Sequence, residues 1–181
     1  YFQMGDYDRA MEIFSPVLKQ AEELGDIALI GGSLNSIGLI YYSQRNLNMA
    51  QEYLERSLSI AEKVDNKIGL GASIFSSIIN NIGLIHLSKG DYNTALDYFE
   101  RSFLISEKIG DKHIMEYTLN NIGVIKDNKG NYDGSLTYHK RSLAIRKEIG
   151  NKHGEAMSLN NIGNIHSYKA NYDKALECYS K

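Results

Sequence analysis

An all-α fold built from stacked repeats is predicted by three features of this chain. They are a 40-residue period, apolar residues recurring three and four apart, and helix punctuation at matching places in each period. The period is visible where Leu119-Asn120-Asn121-Ile122-Gly123 returns as Leu159-Asn160-Asn161-Ile162-Gly163. It returns again where Gly90-Asp91-Tyr92-Asn93-Thr94-Ala95-Leu96 becomes Gly130-Asn131-Tyr132-Asp133-Gly134-Ser135-Leu136. A fixed repeat of this size copies one supersecondary unit along an axis, each unit touching mainly its neighbours. Such an array presents an extended surface rather than a single reaction pocket.

Each period holds two helical stretches. The second helix of each unit opens at Asp6, Asn46, Asp91, Asn131 and Asn171, residues whose side-chain oxygens accept from the free N–H groups of a first turn. Gly5, Gly90 and Gly130 precede three of these caps, where glycine closes the preceding helix in the left-handed conformation. Arg45 and Ala170 stand at that place in the other two units, so those turns are expected to be made differently. The first helices show the same device at Gly25-Asp26, Gly110-Asp111 and Gly150-Asn151, with Asp65-Asn66 as the exception. Leu119, Ile122 and Ile125 stripe one helix; Leu96, Phe99, Phe103 and Leu104 stripe another. Glycine recurs inside helices at 38, 83, 123 and 163. An interior glycine costs about 1 kcal/mol against alanine, so its recurrence implies a close approach of the paired helix. The small residues Ala50, Ala95, Ser135 and Ala175 are expected to meet it there.

The 40-residue rule breaks once: Gly38 and Gly83 are 45 residues apart. Five extra residues therefore fall within Ile68–Ser77, as a longer loop, an extra helical turn, or a lid or partner contact. Tyr1-Phe2-Gln3 resembles the remnant of a cleavable purification tag and is left out of the fold. The expected organisation is residues 1–4 as that remnant and start, and 5–181 as one array. Within it lie a partial repeat 5–25, repeats 26–65, 66–110 and 111–150, and a partial repeat 151–181. Both ends fall mid-unit, which suggests a piece of a longer protein.

Composition narrows the function classes. Apolar residues form 43% of 181, enough for a continuous core, and a single proline leaves long helices uninterrupted. A net charge of −2 gives no basic field for nucleic acid or an anionic membrane. The lone cysteine, Cys178, has no internal disulfide partner and suits a reducing, cytoplasmic setting. No apolar run reaches the length of a membrane span.

The motif Leu159, Ile162-Gly163, Tyr172, Ala175 and Tyr179 resembles the tetratricopeptide repeat. The 40-residue version is similar to the extended repeats of Pins-type scaffolds, kinesin light chains, and bacterial peptide-sensing and sensor proteins. The resemblance covers residues 5 to 181. It implies a right-handed α–α superhelix of about nine antiparallel helices, with the first helix of each pair lining a concave, partner-binding face.

On that face the resemblance places paired asparagines: Asn80-Asn81, Asn120-Asn121 and Asn160-Asn161, with Asn35 in the first complete unit and Asn164 one turn further on. A side-chain amide offers a donor and an acceptor, so a ladder of them holds an extended peptide by its backbone. The alternative is that one asparagine of each pair simply links neighbouring helices. Tyr117, Asp127, Asn128 and Tyr168 are further expected contacts, with Tyr42, Ser43, Leu84, Leu87, Ser88, Val124 and Ser167 nearby. The near absence of lysine and arginine argues against a carboxylate clamp.

His113 and His153 share one repeat position, and His86 and His166 another. Equivalent positions in successive repeats lie roughly 10 Å apart, too far to share one zinc held at about 2 Å. No HExxH, CxxC or phosphate-binding glycine loop occurs, so no metal, cofactor or catalytic residue is expected. The Arg-Ser pairs at 56–57, 101–102 and 141–142 read as buried serines beside solvated or ion-paired arginines, and the 13 tyrosines mostly as core or turn residues. The expected function is a non-enzymatic module that binds a protein or peptide. Alternatives are the sensory region of a bacterial signalling protein, or a scaffold that self-associates.

Overall fold

The computed structural model describes residues 7–63 and 70–181. Among them are nine α-helices and no strand. They are α1 (Tyr7–Leu24), α2 (Ile27–Ser43), α3 (Leu47–Lys63), α4 (Leu70–Ser88), α5 (Tyr92–Ile109), α6 (Lys112–Asn128), α7 (Tyr132–Glu148), α8 (Lys152–Tyr168) and α9 (Tyr172–Tyr179). The chain divides into two units, one through Ala95 and one from Leu96, so the boundary falls inside α5. In the first unit α2 packs on α1, α3 and α4; in the second α7 packs on α6 and α8, and α9 on α8. No helix among the described residues is long and apolar enough to cross a membrane.

The sequence punctuation works as read. Oδ1 of Asp26, Asn46, Asp91, Asp111, Asn131 and Asn151 accepts from the backbone N–H three residues on, at 2.9–3.3 Å. Asn171 makes no such bond; Asp6 and Asp65-Asn66 lie outside the described residues. One expectation needs correction. Arg45 (φ 63°) and Ala170 (φ 56°) take the same left-handed conformation as Gly90 and Gly130, so their turns are made alike despite the Cβ. The closing bonds hold them there: Asn46 N–H donates to Tyr41 O at 2.9 Å and Asn171 N–H to His166 O at 2.8 Å. The segment suspected of forming a lid is part of α4 from Leu70 to Ser77; Ile68 and Gly69 lie outside the described residues.

The helix-interior glycines also need a corrected reason. A Cβ on Gly38 would sit 2.8 Å from Leu54, one on Gly123 2.8 Å from the His139 ring, and one on Gly163 2.5 Å from the Tyr179 ring. Each glycine therefore receives a large side chain from the next helix, rather than facing only the small residue one turn earlier. That small residue has its own task in one hairpin, where Ser135 Oγ donates to Gly123 O at 2.9 Å. The buried serines behave as expected: Ser57 Oγ donates to Gly31 O at 2.7 Å and Ser142 Oγ to Glu116 O at 2.8 Å. Their neighbours Arg56, Arg101 and Arg141 lie over Tyr53, Tyr98 and Phe103 respectively. Leu104, expected in the stripe of α5, is instead 64% exposed.

The core of the second unit carries a polar cluster that the period hides. His139 stands at the position of Leu54, Phe99 and Tyr179, and Arg146 at that of Ala21, Ala61 and Ser106. Arg146 and Glu116 are both fully buried. Arg146 Nε donates to Glu116 Oε2 at 2.5 Å, and its Nη1 donates to Gly154 O at 2.9 Å and Ser158 Oγ at 2.8 Å. Asn151 Nδ2 donates to Glu116 Oε1 at 2.9 Å, so one asparagine both caps α8 and completes the cluster. Gly154 makes room for this arginine, because a Cβ there would lie 2.9 Å from Arg146 Cδ. The preceding repeat has Ser106 and Ile114 at these two places. Desolvation, with the Arg146 charge second, pushes the buried His139 pKa down to about 4, so the ring is neutral near pH 7.

Three outcomes follow from this packing. Arg45→Gly relieves the left-handed Cβ and stabilises the fold by about 1 kcal/mol in urea unfolding. Glu116→Ala strands a buried guanidinium and costs about 3–5 kcal/mol, most of which returns when Arg146→Met is added. His139 binds its proton more weakly when folded, so the unfolded chain takes up more protons between its pKa near 6.5 and the folded value near 4. Stability therefore falls as pH drops through that window, by up to about 3 kcal/mol. Chemical unfolding at pH 7 and pH 4.5 should show that slope diminished in His139→Phe.

Candidate functional site

The first helices of the hairpins, α2 and α4 in one unit and α6 and α8 in the other, carry the asparagines. Two cross-helix amide bonds define how they are used. Asn81 Nδ2 donates to Asn35 Oδ1 at 2.8 Å, and Asn161 Nδ2 donates to Asn120 Oδ1 at 3.1 Å. Asn80 Nδ2 also approaches Asn81 Oδ1 at 3.4 Å. Asn80, Asn81 and Asn120 are buried, and Asn35, Asn121 and Asn161 half-buried. Within each unit one asparagine of a pair therefore joins neighbouring first helices, as in the alternative reading of the ladder. Each amide keeps further donor or acceptor capacity after one such bond.

The remaining candidates are more open to solvent. Asn160, Asn164 and Asn128 are exposed, and Asn164 Oδ1 accepts from the Tyr179 hydroxyl at 2.7 Å. Tyr117 is 52% exposed and lies with its ring centroid 6.0 Å from the Arg146 guanidinium carbon. Tyr168 is 63% exposed and tilts against Tyr132 at 5.8 Å between centroids. Tyr117 and Tyr168, expected on the groove, are thus exposed, and so are Tyr172 and Tyr179, which fall under the general expectation of core or turn positions. Met157 on α8, 42% exposed, was missed by sequence reasoning. Its place one period after Tyr117 was the signal that could have found it. Asp127 is half-buried, and burial alone raises its carboxyl pKa above the usual value.

In the first unit, Tyr42 Oη lies 3.1 Å from Ser88 Oγ, a second tie between α2 and α4. Tyr42, Ser43 and Ser88 line a shallow cavity of about 420 Å³ together with Tyr7, Arg45 and Leu47. His86 Nδ1 lies 3.3 Å from Asp91 Oδ2, where the carboxylate also caps α5. The α6–α8 face presents amides and aromatic rings with one half-buried carboxylate. That arrangement suits recognition of a polypeptide backbone and apolar side chains.

The tetratricopeptide repeat family matches residues 31–64, 76–109 and 114–181. These segments make up more than half of the chain, which belongs to that family. No curated protein matched the sequence. Among solved structures, BtubC (BKLC) from P. vanneervenii is 20% identical with a TM-score of 0.81, over 98% of this chain and 72% of that one. A Rap protein complexed with Competence and Sporulation Factor is 18% identical with a TM-score of 0.86, over 99% of this chain and 49% of that one. A signal-transduction ATPase with numerous domains and a tetratricopeptide repeat sensor, from Pyrococcus horikoshii, is 24% identical with a TM-score of 0.78. It is matched over 97% of this chain and 26% of its own length. The chain thus spans about half the Rap protein and a quarter of the ATPase. At these identities the likeness is one of fold.

Proposed function

We propose that this protein is an interaction module that binds a peptide or helical segment along the face formed by α6 and α8. Binding is the whole mechanism, with no catalytic step. The partner's backbone hydrogen-bonds to side-chain amides, and its apolar side chains are buried against Tyr117 and Met157. The observation that carries this reading is the grouping of exposed Asn160 and Asn164 with two exposed large side chains on the same pair of helices. A large apolar group left in water beside amides with spare hydrogen-bonding capacity is informative where a lone exposed leucine is not. Family membership supports a protein partner in general, as does the Rap neighbour solved with a bound factor. The α2–α4 face, with Asn35 and Asn80-Asn81, is the corresponding surface of the first unit.

A second reading, favoured by the likeness to an ATPase carrying a repeat sensor, makes the array the regulatory region of a signalling protein. Partner binding would then be read by an output domain. The two readings share the binding step and differ in what flanks the array, so sequencing the parent gene in both directions separates them.

The discriminating substitutions avoid asparagines that hold helices together. Met157→Ala combined with Asn160→Ala should weaken capture of a co-purifying partner at least tenfold, with the far-ultraviolet circular dichroism spectrum unchanged. Undiminished capture by that variant rejects the α6–α8 face as the binding surface.

A further inference from the structure

The two units differ at one station of the same helix junction. Asn35 and Tyr42 on α2, and Asn81 and Ser88 on α4, are each seven residues apart, about two turns along one stripe. The first unit closes α2 against α4 at both levels, through the Asn81–Asn35 amide bond at 2.8 Å and the Tyr42–Ser88 hydroxyl contact at 3.1 Å. Seven residues beyond Asn120 and Asn161 in the second unit stand Asp127 and Tyr168. The amide bond is kept there, at 3.1 Å, but the second tie is not. Among the described residues no hydrogen bond or ion pair reaches the Asp127 carboxylate, and the Tyr168 ring leans on Tyr132 instead.

A carboxylate taken partly out of water without a partner is held at a cost that an incoming cation would offset. Burial accordingly raises the Asp127 pKa, with no charged neighbour among its causes. The lysine that follows Tyr168 is already committed, since Lys169 Nζ donates to Asp133 Oδ1 at 2.5 Å. Tyr168 adds an exposed aromatic ring, whose face attracts ammonium and guanidinium groups.

Building on the peptide-binding reading above, we propose that Asp127 and Tyr168 form a subsite for a cationic group of the bound peptide. That group is a lysine or arginine side chain, or a terminal amine. The carboxylate supplies the ion pair, the ring supplies the wall, and the neighbouring amides hold the backbone that carries the charge. This subsite sets which peptides the module prefers.

The test presents the full chain with two random decapeptide libraries, one N-acetylated and one with free N-termini. Enrichment of lysine or arginine at one position in the acetylated pool supports a side-chain cation. Enrichment confined to the free-amine pool supports a terminal ammonium. For the selected peptides, Asp127→Asn should weaken binding about five- to tenfold at low salt, and the difference should shrink as salt screens the pair. Asp127→Lys should turn the selection toward aspartate and glutamate. Tyr168→Ala should lose part of the preference that Tyr168→Phe retains. Peptides that bind without basic enrichment, or equally well to Asp127→Asn, overturn the subsite and leave the peptide-binding reading intact. Selection of no peptide from either pool overturns both. Circular dichroism of each variant confirms that the fold is unchanged.

Discussion

The structure depends on one steric constraint: a large side chain from the second helix of a hairpin enters the place where the first helix has no Cβ. Leu54 at Gly38, His139 at Gly123 and Tyr179 at Gly163 occupy this station. The receiving position favours glycine, because a methyl group there would lie within 3 Å of each ring or branched carbon and push the entering side chain aside. The entering residue is free to change so long as it is large, and it does change, from leucine to histidine to tyrosine. The conserved part of the repeat is therefore a space rather than a contact type. It sets how closely each hairpin closes and which residues the first helices can present.

That tolerance admits the polar core of the second unit. Once His139 occupies a position where the other repeats carry Leu54, Phe99 or Tyr179, the hydrogen-bonding network of Arg146 lies two turns along the same helix. The network is satisfied on most sides by Glu116, Gly154, Ser158 and, through Glu116, Asn151. Removing two charges from water is costly, and the return depends on geometry. Here the acceptors come from α6 and α8 and the donor from α7, so the bonds form only when three helices are in one register. An apolar core would tolerate small slips that this cluster does not. Gly154 and Arg146 act together in this, since the one provides the room the other fills.

The asparagines show where reading a sequence succeeds and where it stops. Their recurrence on one helix face was legible from the 40-residue offset alone, because helical periodicity fixes which residues share a face. Whether an amide faces a partner or a neighbouring helix was not legible, since the same side chain serves both and the choice depends on distances between helices. Asn81 and Asn161 reach across to Asn35 and Asn120, while Asn160 stays exposed and Asn164, also exposed, meets Tyr179. Tyr168 was legible as a candidate, but its lean toward Tyr132 and the isolation of Asp127 arise only from the packed helices.

By itself the sequence determined the order of the described helices, most of their caps, and the family to which they belong. These are local properties: a cap bond spans three residues, and a stripe repeats within one helix. Tertiary structure decided what locality cannot. It turned Leu104 outward, and it joined Glu116 to an arginine 30 residues away. Those outcomes depend on which helices meet, and that meeting follows from steric fit between side chains far apart along the chain.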